Sequence, residues 1–488
     1  MQGESDMITS FQILDNDVIK KVISEARTIL GTWGVWVEHE EAVTVLLDNG
    51  ASEREKRIRI PDTLIDRALS TVPDSFSLWD LSGENEYIIG KTASHFVPGS
   101  AALEIWDPET HTPRNANTVD LVNLARVVDS LPHLALQSTS LISSDVPEPV
   151  ADRYRLFVIL QFCRKPIVTG TFQEDAFEVM QSFLEIVRGS PEQLHDKPLA
   201  IFDCCPSAPL NWSRLTTDAL IRAARAGIPA ELISMPLSGA TGPATLLGSV
   251  VQHCAENLAG IVIHQLVSPG SPIVYGGSPS IMDMRHGTTP MGAIETQMID
   301  VANAQIGKTL GVPTHAYMGL SDAPWPDYQG GSESTLGATL AILGGINVIS
   351  GPGMLKFESR QSLEKLVMDN DVVGAVKRLK AGIEEHECPI ATHLMDSLLK
   401  QGHLLEHNHT RSWFRSEFYF PGHSFERRAD PGLESDASGA HVRARKTVEK
   451  ILAKPAETYL DAAVVAELRT KMSAELKRYG AELPRGIS

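Results

Sequence analysis

The stretch KPLAIFDCCPSAP, Lys197–Pro209, is followed after one amphipathic segment by IPAELISMP, Ile228–Pro236. Each is a short apolar run entered through a proline and closed by turn-forming residues, as expected of a strand buried on both faces of a sheet. Five further short apolar runs follow, three of them also beginning with a proline entry: LALQSTS from Leu134, KPIVTGTF from Lys165, SPIVYGG from Ser271, VPTHAYMG from Val312 and GINVISGPG from Gly345. Helical patterns lie between them. Thr289 followed by Pro290 predicts an N-cap and first turn, with Ile294, Met298, Val301 and Gln305 along one face until Gly311. SLEKLVMDNDVVGAVKRL likewise sets Leu363, Leu366, Val367, Val373, Val376 and Leu379 near helical spacing.

Continuous apolar strands alternating with helices predict βαβ units and a parallel sheet covered on both sides. Seven such strands with no break into two sheets favour an α/β fold of the (β/α)8 TIM-barrel type, although the pattern does not locate an eighth strand. No G-x-G-x-x-G follows a first strand, which argues against a dinucleotide-binding sheet. The expected organisation is an N-terminal decorating region over 1–130, the barrel core over 131–382 and a C-terminal strand and helix extension over 383–488 that wraps the barrel. The first region carries the helical IKKVISEARTIL and HFVPGSAALEIWDPET, whose DPET turn predicts a hairpin.

Sixty-one acidic against 43 basic residues give a formal net charge of −18, which repels nucleic-acid backbones and anionic membranes. The N-terminus MQGESDMITSFQILDND has acids where a secretory signal carries bases, and apolar runs such as ATLAILGGINVISG fall short of the roughly 20 residues of a membrane span. Five cysteines in 488 residues suit a reducing cytoplasm rather than a disulfide framework.

In a barrel the chemistry sits on the loops after the strands. Here those loops are DCCPSAP, SMPLSGATGP, GGSPSIMDMRHGTTP, SDAPWPDYQGG and SGPGML, rich in Gly, Ser and Pro. The ordered series from Ser234 to Leu355, with DMRHGTTPMGAIE, SDAPWPDYQGG and LGGINVISGPGML, resembles the trimethylamine methyltransferase superfamily. The resemblance implies a cytoplasmic barrel that passes a methyl group from an amine to the cobalt of a separate small corrinoid protein. It also implies that the loop corresponding to SDAPWPDYQGG has the form SDxKxPD, then pyrrolysine, then QAG. Tyr328 stands at the pyrrolysine position between Asp327 and Gln329, which points away from trimethylamine and towards quaternary amines such as glycine betaine, proline betaine or carnitine.

A quaternary nitrogen is permanently cationic and leaves as a neutral tertiary amine, so positioning the methyl group is the main task. Aromatic faces hold such a cation with about 0.5–2 kcal/mol each. Trp325 and Tyr328 are the expected ring wall, with Tyr328 at the catalytic position, and His315 and Tyr317 are candidates for contacts to the substrate's carboxylate. Loop packing is the alternative for the first pair, and an outward-facing, interior structural role the alternative for the second. Glu231, a carboxylate inside an apolar strand, is expected to meet a ligand or, more commonly, an arginine. Asp283 and Arg285 suit a structural pair or a carboxylate clamp, and Asp203, Asp322 and Asp327 suit turn caps.

The adjacent Cys204 and Cys205 and the HNH at His407–His409 have no metal-ligand spacing, so no metal is expected in the chain. No D-x-H-x-x-G precedes any of the 16 histidines, so no cobalamin is expected in the chain either; the corrinoid partner would supply it. Two alternatives stand beside this reading: a lyase or isomerase acting on a phosphorylated metabolite cradled by SGPG and GGSPS, and a non-catalytic betaine-binding homologue. The two extensions allow self-association without requiring it.

Overall fold

Proline entry and apolar content place a strand at each of the seven runs, and an eighth comes from the N-terminal region. The computed structural model describes residues 11–422, 424–428 and 439–484. The strands are β1 (His95–Val97), β2 (Gln137–Ser138), β3 (Ile167–Gly170), β4 (Ala200–Cys204), β5 (Ala230–Leu232), β6 (Ile273–Val274), β7 (His315–Tyr317) and β8 (Val348–Ser350). β2 to β6 form one five-stranded sheet in chain order, and β7, β8 and β1 form a three-stranded one. Every pairing within them is parallel. Isolated parallel bridges join Phe96 to Leu134 and Tyr275 to Thr314, continuing the pairing from β1 towards β2 and from β6 towards β7.

β1 lies inside the 1–130 region that the sequence assigns to decoration. It is three residues long, HFV, and gives no periodic signal of its own; its register against β8, Phe96 opposite Ile349, defines it. The expected hairpin follows it, with Glu104–Asp107 antiparallel to Thr112–Asn115 across the DPET turn.

A helix follows each strand: Thr118–Ser130, Ala151–Phe162, Ala176–Arg188, Arg214–Ala226, Leu246–Val267, Ile294–Thr309, Tyr328–Leu343 and Leu363–Lys380. One of these departs from its expected start. The helix after β6 begins at Ile294 rather than at Pro290, because the carboxylate of Asp322 on the β7 loop takes the amides of Met291 and Gly292 at 2.9 and 2.7 Å and holds 290–292 as loop. Leu246–Val267 is long and apolar enough to cross a membrane by length and composition, but most of it is buried inside the protein. Beyond Lys380 the described residues add helices only, without a strand. Ala440–Leu452 packs on the helices Leu363–Lys380 and Thr118–Ser130, and Ala462–Arg478 on the helices Ala151–Phe162 and Ala176–Arg188.

Alternation along the strands sorts the interior into a dry end and a polar end. Val97, Leu136, Val168, Ile201, Val274 and Val348 form an apolar cluster with Leu78 and Ile89. The last two belong to the antiparallel pair Ser75–Trp79 and Glu86–Gly90, which caps the entrance to the strands, the Trp79 amide bonding the Pro198 carbonyl just before β4. Two residues further along the strands the inward positions become Ser138, Gly170, Asp203, Gly276 and Ser350. This polar end faces the loops.

Candidate active site

Asp203 on β4 and Glu231 on β5 are register partners at that polar end. Glu231 is fully buried, and its carboxyl faces that of Asp203 as hydrogen-bond neighbour, with Glu231 carrying the proton; no other partner reaches its oxygens or Oδ1 of Asp203 among the described residues. Burial pushes Asp203 up to about 7. Burial and the neighbouring Asp203 push Glu231 well above the usual carboxylate range. No arginine meets Glu231; its nearest basic neighbour is His315, whose Nε2 lies 4.0 Å from Oε2. Asp203 caps no turn. It occupies an inward strand position and is half-buried, with Oδ1 itself out of contact with solvent.

His315 and Tyr317 both share this interior. His315 Nε2 lies 3.0 Å from Ser350 Oγ, while its buried Nδ1 has no partner. Burial pushes its pKa down to about 3, so the imidazole is neutral. The rings of His315 and Tyr317 meet edge to face at 5.0 Å, and the Tyr317 hydroxyl is 2.9 Å from Ser100 Oγ. Gly276 makes room for them: a Cβ there would sit 2.7 Å from the His315 Cβ.

One guanidinium enters the constellation. Arg155, at the start of the helix after β2, is buried, donates from Nη1 to the Thr139 carbonyl at 2.6 Å and lies 4.4 Å over the Phe172 ring. Its Nε has no acceptor, and the charge of Asp203 acts on it although the two form no ion pair within 4.0 Å. Glu358 acts on Tyr317, and Asp300 and Asp322 are electrostatic neighbours of Glu358. Asp300 is buried with both oxygens unpartnered, and burial raises its pKa well above the usual value. Burial pushes Glu358 up to about 8 and Asp322 up to about 6. Glu358 ends three consecutive left-handed residues, Lys356, Phe357 and Glu358, with φ of 50°, 54° and 63°. Such backbone is costly for non-glycine residues and concentrates at functional sites.

The ring pair expected on the β7 loop is not assembled into this interior. Tyr328 opens the helix Tyr328–Leu343, capped by Asp327, and its ring is 89% exposed. Trp325 instead faces Trp106, Glu364 and Arg445 across a separate cavity of about 260 Å³. Between the loops after β6, β7 and β8 lies an open cleft of about 1020 Å³, with Asp283, Glu295, Asp322, Glu333 and Phe357 on its walls. Asp283 and Arg285 form an exposed structural pair at 2.8 Å. Cys204 is an ordinary buried core residue. Lys356, just beyond SGPGML, is bonded to Glu104 at 3.1 Å, and the Gly353 amide of that turn already donates to Asp369, itself paired with Lys365 at 2.6 Å. Of the missed candidates, Asp203, Arg155 and Asp300 carried one signal in the sequence, a charge set inside an apolar pattern, whereas Glu358, in the polar KFESRQ, carried none.

The family model described as trimethylamine methyltransferase matches residues 2–479. A glycine betaine methyltransferase of Desulfitobacterium hafniense is 27% identical over 478 residues, covering 98% of this chain and 99% of the relative. A trimethylamine methyltransferase of the same species is 29% identical over 80% of this chain and 79% of its own length. Among solved structures, the monomethylamine methyltransferase of Methanosarcina barkeri superposes with a TM-score of 0.53 at 13% identity, over 91% of this chain and 90% of the other. At that identity the likeness speaks for the fold alone.

Proposed function

The chain belongs to the trimethylamine methyltransferase family, and on that premise we propose that it takes a methyl group from a quaternary amine of the glycine betaine type and delivers it to a corrinoid carried by a separate small protein. It is a methyltransferase. The observation that carries the substrate class is charge: the carboxyls of Asp203 and Glu231 face each other at the polar end of the strands, Asp203 also acts on the Arg155 guanidinium, and Glu358, on which Asp322 acts, stands near Tyr317. Ionised carboxylates without a cation are costly there, and a fixed ammonium offsets that cost. Both signs are present for a zwitterion: its nitrogen would sit against Asp203 and Glu231 with the Tyr317 ring, its carboxylate towards the unpartnered Nε of Arg155.

We also read the eight strands as a closed (β/α)8 barrel, supported by the two parallel bridges that continue the pairing between the sheets. The open cleft then lies over the barrel mouth, where the corrinoid partner supplies Co(I) as the methyl acceptor. The chain's own task is to bind and orient the methyl group towards that opening and to exclude competing water. No general acid is required, because the C–N bond pair stays on a nitrogen that departs neutral, and the neutral His315 suits a hydrogen-bonding, non-acidic neighbour. Because the positive charge disperses as the methyl leaves, partly protonated carboxyls hold the cation less tightly than fully ionised ones would, which favours turnover over ground-state binding. Trp325 and Tyr328 enter this reading as rim residues, exposed to an approaching protein. A cytoplasmic site of action belongs to the same reading.

The test is methylation of Co(I)-cobalamin, read by its absorbance, with glycine betaine, carnitine, trimethylamine and tetramethylammonium as donors. Turnover with betaines and none with trimethylamine is expected; methylation by trimethylamine alone would overturn the substrate assignment.

A further inference from the structure

Beyond the last barrel helix the chain EEHECPIATHLMDSLLKQGHLLEHNH, 384–409, holds five of the 16 histidines. Glu387, His393 and His409 are separated by 5 and 15 intervening residues, which matches no short metal motif. The fold closes the gap. One ligand atom from each of the three lies within 4.8 Å of the others. Glu387 Oε2 is 2.9 Å from His393 Nε2, and Oε1 is 3.2 Å from His409 Nδ1. The carboxylate therefore lies between two imidazoles, one from the segment after Cys388 and one from the helix Asn408–Glu417.

Two details distinguish this cluster from an ordinary polar surface. Glu387 Oε2 is a buried atom that accepts no hydrogen bond: the contact with His393 is close but lacks the geometry of one. A buried carboxylate oxygen left without a donor beside an imidazole nitrogen, with a second imidazole on the other oxygen of the same carboxylate, is an arrangement that a cation completes. The groups behind the carboxylate are also fixed. The Trp413 indole N–H donates to Oε1 at 2.5 Å and fixes the orientation of the Glu387 carboxyl. Trp413 in turn stacks on His386 at 4.6 Å, and His386 bonds Glu417, which is also the partner of Arg378.

We propose that Glu387, His393 and His409 bind a divalent transition metal of the zinc class, with water completing the coordination. Two imidazoles and one carboxylate are a borderline-hard donor set suited to such ions rather than to calcium or magnesium. Tetrahedral bonds of about 2.1 Å put ligand atoms roughly 3.4 Å apart, so small side-chain rotations suffice. The site's place assigns its role. Arg378 is in the last turn of Leu363–Lys380, and in a βα unit that end lies opposite the mouth that holds Asp203 and Glu231. The metal therefore staples the C-terminal extension to itself and takes no part in methyl transfer.

The test uses the full chain freed of metal by a chelator and titrated with zinc by calorimetry, with Co(II) as a spectroscopic substitute. One equivalent should bind, Co(II) should give the visible bands of a site with imidazole ligands, and zinc should raise the melting temperature by several degrees. His393→Gln with His409→Gln should bind zinc at least tenfold more weakly while methyl transfer is kept. Glu387→Gln serves as a second variant, its fold checked by circular dichroism. Equal zinc affinity in wild type and in both variants, or no binding by the wild type, would overturn the proposal.

Discussion

Asp203 is the side chain on which the site's pH behaviour turns. Its folded pKa, raised to about 7 by burial, exceeds the ordinary carboxylate value, so the folded protein holds a proton that the unfolded chain releases. The contribution to stability is full below pH 4 and is lost as pH rises towards and through 7. Without ligand, the melting temperature should therefore fall between pH 5 and pH 8, and glycine betaine should raise it more at pH 8, where the ionised carboxyl meets the ammonium; thermal denaturation at both pH values checks this. Arg155→Met should raise KM for glycine betaine by about tenfold or more, through loss of a charged hydrogen bond worth roughly 1.5–3 kcal/mol, and leave tetramethylammonium nearly unaffected. Steady-state kinetics on the two donors separates the outcomes. Only part of this site was legible in the sequence. His315 and Tyr317 stood on one face of THAYMG, but nothing in a single strand says which face is inside. Asp203 sat in DCCPSAP like any turn cap, and its partner Glu231 lies 28 residues away, joined to it by register alone.

At the scale of elements, apolar runs with proline entries fixed seven strands because burial on both faces leaves a continuous signal. β1 escaped because three residues, HFV, carry no period, and only pairing with β8 identifies it. The start of the helix after β6 was misread at Thr289–Pro290 for a related reason: local capping chemistry lost to the long-range claim of Asp322 on two amides. Asp322→Ala leaves the Met291 and Gly292 amides without their acceptor. Hydrogen exchange should show faster exchange at the Met291 and Gly292 amides with little change in Val301–Gly307, deeper in the same helix. Gly276→Val should lower stability by about 1–3 kcal/mol through overpacking against His315, measured by denaturant unfolding.

The whole molecule has a dry, capped end and a charged, open end, and its net charge of −18 makes the approach of a basic or locally positive partner surface favourable. A corrinoid carrier meeting the acidic cleft through such a surface should methylate more slowly as salt is raised, since exposed charges are screened within about 10 Å at 0.1 M ionic strength. The account's central claim is that the ammonium is held by the buried acids and not by the rim rings. Calorimetric titration of glycine betaine at pH 8 into wild type, into the double variant Asp203→Asn, Glu231→Gln and into Trp325→Ala, Tyr328→Ala tests it most directly. The account predicts that the acid variant loses about 100-fold in affinity or more, the scale of a removed buried charge partner, while the ring variant binds within a few-fold of wild type. Undiminished binding by the acid variant, with loss in the ring variant, would contradict it.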